Sequence, residues 1–121
     1  MKGYLYFADF YNCNNILTGE SLRQAAIKAV RDAGMAEVRR MYEDFPEHIH
    51  KTEYGESVMT MIIPLEQSHL AIHTWPAQKL VCVDLFTCGD RFDAKRAVNN
   101  LLDLFNPKTK KIVGFKRGNE G

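Results

Sequence analysis

The sequence predicts an α+β fold, a two-layer sandwich in which an antiparallel β-sheet carries two helices on one face. Residues 68–75 and 80–88 are strand-like and are joined by a tight connection, which is typical of an antiparallel hairpin. Apolar residues recur at helical spacing in two segments, residues 19–34 and residues 93–105. Hairpins combined with two helices indicate a sheet with one covered face. We expect a second copy of the chain to cover the other face.

The N-terminal half is predicted to contain two strands, one helix and a long loop. Residues 3–11 are rich in aromatic side chains, which favour a strand. The helix that follows is expected to close at Gly34, and residues 36–42 form the second predicted strand. Residues 43–56 carry a proline, a glycine and several acidic residues, so we interpret them as a long loop, a feature that is often functional in a small domain.

The C-terminal half is predicted to be mostly strand. Residues 58–65 are apolar and rich in branched side chains, which indicates a buried strand ahead of the hairpin. Asp93 is the expected N-cap of the second helix, and Pro107 follows its end. Residues 111–115 supply the last strand, so the predicted order is β-α-β-β-β-β-α-β.

Composition places the chain among single-domain globular proteins. It has 121 residues, of which 45% are hydrophobic and 26% charged, and a formal net charge of +1. That balance lacks the basic excess of nucleic-acid-binding proteins, and no apolar run approaches the roughly 20 residues that span a bilayer. The N-terminus shows no signal-peptide pattern, and Cys13, Cys82 and Cys88 fit free thiols, so we expect a cytoplasmic protein.

The residues able to do chemistry concentrate in the predicted hairpin. Ser68, His73 and Cys88 supply a hydroxyl, an imidazole and a thiol, which nucleophilic and acid–base catalysis use. Each also has a structural interpretation, as a turn hydroxyl, a hydrogen-bonded histidine and a small buried side chain. A hairpin turn around residues 77–78 places Cys88 about 5 Å from Gln67 and Ser68 on the neighbouring strand.

His73 requires a different arrangement. It lies five residues beyond Ser68, about 16 Å along a straight strand, which is too far for direct contact. Either the strand bends, or His73 acts on the serine of a partner chain across a two-fold axis. We favour the second arrangement, because a partner also covers the open sheet face.

The histidine spacing raises the alternative of a metal site. His69 and His73 form an HxxxH pair, and His48 and His50 form an HxH pair. The first pair would suit zinc on a helix, but its surroundings predict a strand, and no third ligand is placed. We therefore expect no metal ion.

Two sequence stretches resemble the prokaryotic S-adenosylmethionine decarboxylase family: residues 67–76, Gln-Ser-His-Leu-Ala-Ile-His-Thr-Trp-Pro, and residues 83–90, Val-Asp-Leu-Phe-Thr-Cys-Gly-Asp. The likeness extends more loosely over most of the chain. It implies that residues 1–121 form one domain and that the chain is a proenzyme. The proenzyme would cut itself between Gln67 and Ser68 into a β chain (1–67) and an α chain (68–121). It also implies a role in polyamine biosynthesis, and a homodimer whose active sites are shared across the interface.

The same resemblance implies that Ser68 becomes a pyruvoyl cofactor. The Ser68 hydroxyl would attack the Gln67 carbonyl, with His73 as the base that completes the cleavage. The pyruvoyl carbonyl would condense with the α-amine of a small amino-acid-type substrate and accept the electrons released as carbon dioxide departs. Cys88 would then protonate the α-carbon. The residues expected to contact the substrate are Thr60, Asp9, Phe45 and Glu66.

Departures from the family pattern leave the substrate open. Ala77 stands where the family usually has a glutamate that binds ribose hydroxyls, and Gln67 stands where a glutamate usually precedes the serine. S-adenosylmethionine is the family's usual substrate. Arginine or ornithine is the alternative, because neither carries a ribose and both carry a distal cation. A third possibility is a relative that never processes itself and serves as a binding subunit.

Overall fold

A computed structural model describes residues 1–17, 19–35, 48–51, 57–89 and 91–119. Within these residues the chain forms one six-stranded sheet, in the order β2-β3-β4-β5-β1-β6, and every neighbouring pair is antiparallel. The strands are β1 Lys2–Cys13, β2 His48–Lys51, β3 Ser57–Leu65, β4 Ser68–Trp75, β5 Leu80–Cys88 and β6 Pro107–Gly118. The helices are α1 Gly19–Asp32 and α2 Arg91–Phe105, and a 3₁₀ turn, Pro76–Gln78, joins β4 to β5.

Both helices pack on one face of the sheet. Alternate strand side chains point towards them, so that Phe10, Leu70 and Ile72 are fully buried, as is Leu22 of α1. The ring of Phe10 lies 6.0 Å from that of Phe105 in α2. Burial of each such side chain contributes about 1.5–3 kcal/mol. The predicted α+β two-layer sandwich is confirmed.

Helix α1 ends as its sequence predicts. Gly34 has a φ of +86°, a left-handed conformation that a residue without Cβ adopts at little cost. The N–H of Gly34 donates to the carbonyl of Arg31 at 2.9 Å, and the N–H of Met35 donates to the carbonyl of Val30 at 3.0 Å. This pair of bonds is the Schellman motif, which satisfies the last carbonyl groups of a helix.

The other sheet face carries exposed apolar side chains. Phe7, Ile62 and Phe115 are 39%, 46% and 51% exposed, although each lies on a strand. The rings of Phe7 and Phe115 lie 5.7 Å apart. No described helix covers this face, which we call the open face. No helix in the described part of the chain is long and apolar enough to cross a bilayer.

Three expectations from the sequence need correction. The predicted loop over residues 43–56 contains strand β2, so the loop interpretation is wrong for residues 48–51. Asp93 is the third residue of α2 rather than its N-cap, because the helix begins at Arg91. The last strand extends well beyond residues 111–115, since it pairs with β1 along most of its length. The predicted strand over residues 36–42 lies outside the described residues.

Candidate active site

The turn between β3 and β4 consists of two residues, Glu66 and Gln67. Leu65 pairs with Ser68 directly across it. Gln67 has a φ of +54°, a left-handed conformation that costs a residue with a side chain about 1–2 kcal/mol. The peptide bond between Gln67 and Ser68 therefore lies at an exposed, strained turn.

Ser68, the first residue of β4, contacts the last residue of β5. The backbone N–H of Cys88 donates a hydrogen bond to Oγ of Ser68 at 3.1 Å. The β4–β5 register, which pairs His69 with Phe86, produces this contact and agrees with the register predicted from the sequence. Because Ser68 accepts this bond, its own hydroxyl proton stays free to leave during a nucleophilic attack.

A cavity of about 290 Å³ lies beside this contact, where the end of α1, the beginning of α2 and the strand ends meet. Its walls include two carboxylates, on Glu66 and Asp93, which give it acidic character. The cavity is lined by Gly34, Met35, Glu66, Gln67, Ser68, Thr87, Cys88 and Asp93. Ser68 at the start of β4 and Cys88 at the end of β5 therefore border a cavity that is large enough for a small ligand.

His73 lies on the open face, away from this cavity. Its Nδ1 is 3.1 Å from Oγ1 of Thr60, the residue paired with it on β3. Side chains alternate along a strand, so His73 and Ser68, five residues apart on β4, point to opposite faces. The structure therefore joins His73 to Thr60 and separates both from Ser68 of the same chain.

Asp9 also lies on the open face, in line with His73. Cys82 pairs with His73 on one side and with Asp9 on the other. Tyr11 donates a hydrogen bond to the Asp9 carboxylate at 3.4 Å. Burial, a hydrogen bond to Asp9 and the charges of Asp9 and Asp84 raise the pKa of the Cys82 thiol to about 12. Cys82 is therefore a protonated thiol at neutral pH.

The remaining predicted residues are dispersed. Glu66 lines the cavity, whereas Ala77 is exposed in the 3₁₀ turn at the opposite end of β4. Phe45 lies outside the described residues. His69 stacks on Phe86 at 5.8 Å, and within the described ranges no three His, Cys, Asp or Glu side chains are grouped as metal ligands.

Thr87 and Asp93 line the cavity, a position that the sequence does not predict for either residue. Thr87 precedes Cys88, and strand alternation alone would have placed its side chain on the covered face. Asp93 follows shortly after the same strand, but its position depends on how α1 and α2 meet, which no local pattern encodes. Both residues reach the cavity through the packing of the helices on the strand ends.

Comparison with known proteins gives consistent matches. The family model of S-adenosylmethionine decarboxylase matches residues 4–118. The S-adenosylmethionine decarboxylase proenzyme of Acidithiobacillus ferrooxidans is 32% identical over 118 residues, which are 96% of this chain and 82% of that protein. The Aquifex aeolicus proenzyme is 33% identical over 103 residues, 84% of this chain and 70% of that one. The crystal structure of the A. aeolicus adenosylmethionine decarboxylase superposes with a TM-score of 0.77 at 28% identity, covering 98% of this chain and 92% of that one.

Proposed function

Because the chain belongs to the S-adenosylmethionine decarboxylase family, we propose that it is a proenzyme that cuts itself between Gln67 and Ser68 and then decarboxylates an amino-acid-type substrate. The observation that carries this proposal is the contact between Ser68 Oγ and the Cys88 N–H, beside a strained turn and a cavity. A nucleophile held next to the carbonyl that precedes it is arranged for an intramolecular acyl shift.

The cleavage begins at Ser68. Its Oγ bonds to the carbonyl carbon of Gln67, the carbon–nitrogen bond breaks, and the hydroxyl proton ends on the freed amine of Ser68. A base then removes the Cα proton of residue 68, the Cβ–Oγ bond breaks, and Gln67 departs as a carboxylate. The dehydroalanine that remains takes up water and loses ammonia, which leaves a pyruvoyl group at the new N-terminus. Once the bond is cut, Gln67 no longer has to adopt the left-handed conformation, so its backbone strain is released.

The pyruvoyl group would supply an electrophilic carbonyl that holds the substrate amine and draws electrons away from the carboxylate. Ser68 fits this role, because its position borders a cavity and its strand fixes the new chain end. The backbone N–H of Cys88 contacts Ser68, and we propose that its thiol delivers a proton to the α-carbon after carbon dioxide has left. The bond from the Cys88 N–H to Ser68 Oγ is lost when that oxygen leaves, so the backbone pairing of β4 with β5 would hold the strand ends together in the later steps.

The base for the cleavage is His73 of a second copy in this proposal. In a monomer Phe7, Ile62 and Phe115 stay in contact with water, which is unfavourable for apolar side chains. Packing of two open faces would bury them. A two-fold axis would then bring each His73–Thr60 pair towards the partner's sheet end that carries Ser68. If Nδ1–H of His73 donates to Thr60 Oγ1, Nε2 keeps the lone pair that accepts the proton.

S-adenosylmethionine is the first candidate substrate, since the relatives are named for it. Ala77 favours a second candidate, arginine or ornithine, because a methyl group cannot accept hydrogen bonds from ribose hydroxyls. Losing those partners costs about 1–3 kcal/mol for each buried hydroxyl. The proposed substrate contacts are Glu66, Asp9, Thr60 and Phe45, and a carboxylate suits a distal cation. Because Asp9 and Thr60 lie on the open face, the second copy would supply them.

The experiment is intact-mass measurement of the purified protein under denaturing conditions, with Ser68→Ala as the control. We expect two fragments split between Gln67 and Ser68, the C-terminal one carrying the mass of a pyruvoyl group, and a single uncut chain for S68A. Release of labelled carbon dioxide from S-adenosylmethionine, arginine and ornithine then identifies the substrate. An uncut wild-type chain after long incubation would contradict the proposal and favour a non-catalytic binding subunit.

A further inference from the structure

Two buried threonine hydroxyls have no hydrogen-bond partner among the described residues. They belong to Thr74, which is 0% exposed, and Thr87, which is 3% exposed. A buried hydroxyl without a partner destabilises the folded state, and most such groups in proteins are satisfied. An exception calls for an explanation, and the two threonines differ in what surrounds them.

Thr87 lies at the proposed cleavage site. It lines the same cavity as Gln67, Ser68 and Cys88, and it directly precedes Cys88 on β5. Continuing the β4–β5 pairing by one step beyond His69 and Phe86 sets Thr87 opposite Ser68, so both side chains point to the covered face. The Thr87 hydroxyl is therefore buried beside the bond to be cut and has no partner within the described ranges.

Thr74 provides the contrast. It lies near the other end of β4, where it pairs with Met59 and Val81, both buried apolar residues. It does not belong to the lining of the cavity. Its hydroxyl is likewise buried and has no partner in the part of the chain that the structure describes, but the bond to be cut lies at the other end of β4.

We propose that the Thr87 hydroxyl is a catalytic hydrogen-bond donor in the self-cleavage, stabilising the Gln67 oxygen as it becomes negative. This inference rests on the proposed function. As Ser68 Oγ bonds to the carbonyl carbon, the carbonyl π electrons move onto that oxygen, which Thr87 binds through its O–H. When the electrons return and the carbon–nitrogen bond breaks, Thr87 keeps its own proton.

Other donors are less well placed for this task. The Cys88 N–H is already committed to Ser68 Oγ. His73 and Thr60 bond to each other on the opposite face of the sheet. A donor that is buried and has no ground-state partner gives up no bond when the oxyanion forms, which is the property of a preorganised oxyanion site.

The experiment compares Thr87→Val, Thr87→Ser and Thr74→Val in the full chain. Val keeps the shape of Thr without the hydroxyl, so both Val variants should fold and have similar melting temperatures. We expect T87V to slow self-cleavage by about 10²–10³-fold, the usual loss for one oxyanion donor. T87S should retain most of the rate, and T74V should cleave at the wild-type rate.

Hydroxylamine cleaves esters and not amides, so it distinguishes a block in ester formation from a block in the later elimination. T87V should stay uncut in hydroxylamine, since the ester has not formed, whereas a variant blocked at the later elimination would be cut. Cleavage of T87V as fast as T74V, while wild type processes normally, would overturn the role of Thr87 and leave the proposed function standing. A wild-type chain that never cleaves would overturn both.

Discussion

Ser68 and His73 lie five residues apart on β4 and point to opposite faces of the sheet. The first borders the cavity next to α2, and the second bonds to Thr60 on the open face. A single chain therefore cannot bring this imidazole to this serine without breaking the β3–β4 and β4–β5 pairing. That separation is the reason for proposing that two copies share the site, and the proposal can be tested.

Mixing two inactive variants tests whether His73 acts on the partner's serine. Ser68→Ala keeps His73, and His73→Ala keeps Ser68, so neither homodimer should process. When the two are co-expressed, we expect the H73A chain to be cut in mixed dimers, because the S68A partner supplies the imidazole. Mass spectrometry separates the two chains. Cleavage of H73A alone at the wild-type rate would remove His73 from the mechanism.

Thr60 should control the orientation of the His73 ring. Thr60→Val removes the oxygen that lies 3.1 Å from Nδ1, so the imidazole loses the bond that fixes its tautomer. We expect processing to slow by about tenfold, in keeping with the loss of one hydrogen bond of about 1 kcal/mol or slightly more. Thr60→Ser keeps the oxygen and should process close to the wild-type rate. Equal rates for T60V and T60S would show that the bond has no role.

Within one chain Ala77 lies at the far end of β4 from the cavity, so in the proposed shared site Ala77 of the second copy should set the preference between nucleoside and simple amino-acid substrates. Introducing Ala77→Glu adds a hydrogen-bond acceptor for ribose hydroxyls, and each bond is worth about 1–3 kcal/mol. We expect kcat/KM for S-adenosylmethionine to rise at least tenfold relative to ornithine or arginine. Ala77→Met, which adds bulk without a strong acceptor, is the matched control. An unchanged ratio in A77E would mean that this position does not contact the substrate.

Asp9 should suppress the reactivity of Cys82. With a thiol pKa of about 12, only about one Cys82 in a thousand is ionised at pH 9, and the thiolate is the form that iodoacetamide alkylates. Asp9→Asn removes a negative charge that opposes ionisation, so the pKa falls and alkylation at pH 9 becomes faster. Asp84→Asn should have a smaller effect, because Asp84 acts through its charge alone. Peptide mapping measures Cys82 separately from the other thiols, and equal rates in D9N and wild type would contradict this account.

Much of the site could be predicted because two strands joined by a short connection can pair in only a few registers. Strands 68–75 and 80–88 flank a short connection, and a slip of one residue would turn Leu70 and Ile72 from the core towards the open face. The Ser68–Cys88 contact follows from that register. The spacing of five residues also predicts that His73 is too far from Ser68 on a straight strand, which leaves a bent strand or a partner chain as the alternatives.

Other features depend on partners that are distant in sequence. Strand β2 contains one apolar residue, Ile49, and no alternating pattern, so its strand conformation reflects its pairing with β3. Asp93 has the chemistry of an N-cap, yet α2 begins two residues earlier, shortly after β5 ends. That Thr87 has no partner among the described residues likewise depends on its surroundings, because its sequence position shows only a β-branched strand residue.

The order of strands in the sheet also determines what the proposed self-cleavage would do to the molecule. A cut after Gln67 assigns β1, β2 and β3 to one polypeptide and β4, β5 and β6 to the other, yet β1 lies between β5 and β6. The two polypeptides are interleaved, and α1 stays bound to α2 through the Asn100 side chain, which donates to the Ala29 carbonyl at 2.9 Å. They can separate only if the sheet unfolds. The proposed cut would therefore create a reactive chain end, and the strand pairing on both sides would hold the walls around that end in position.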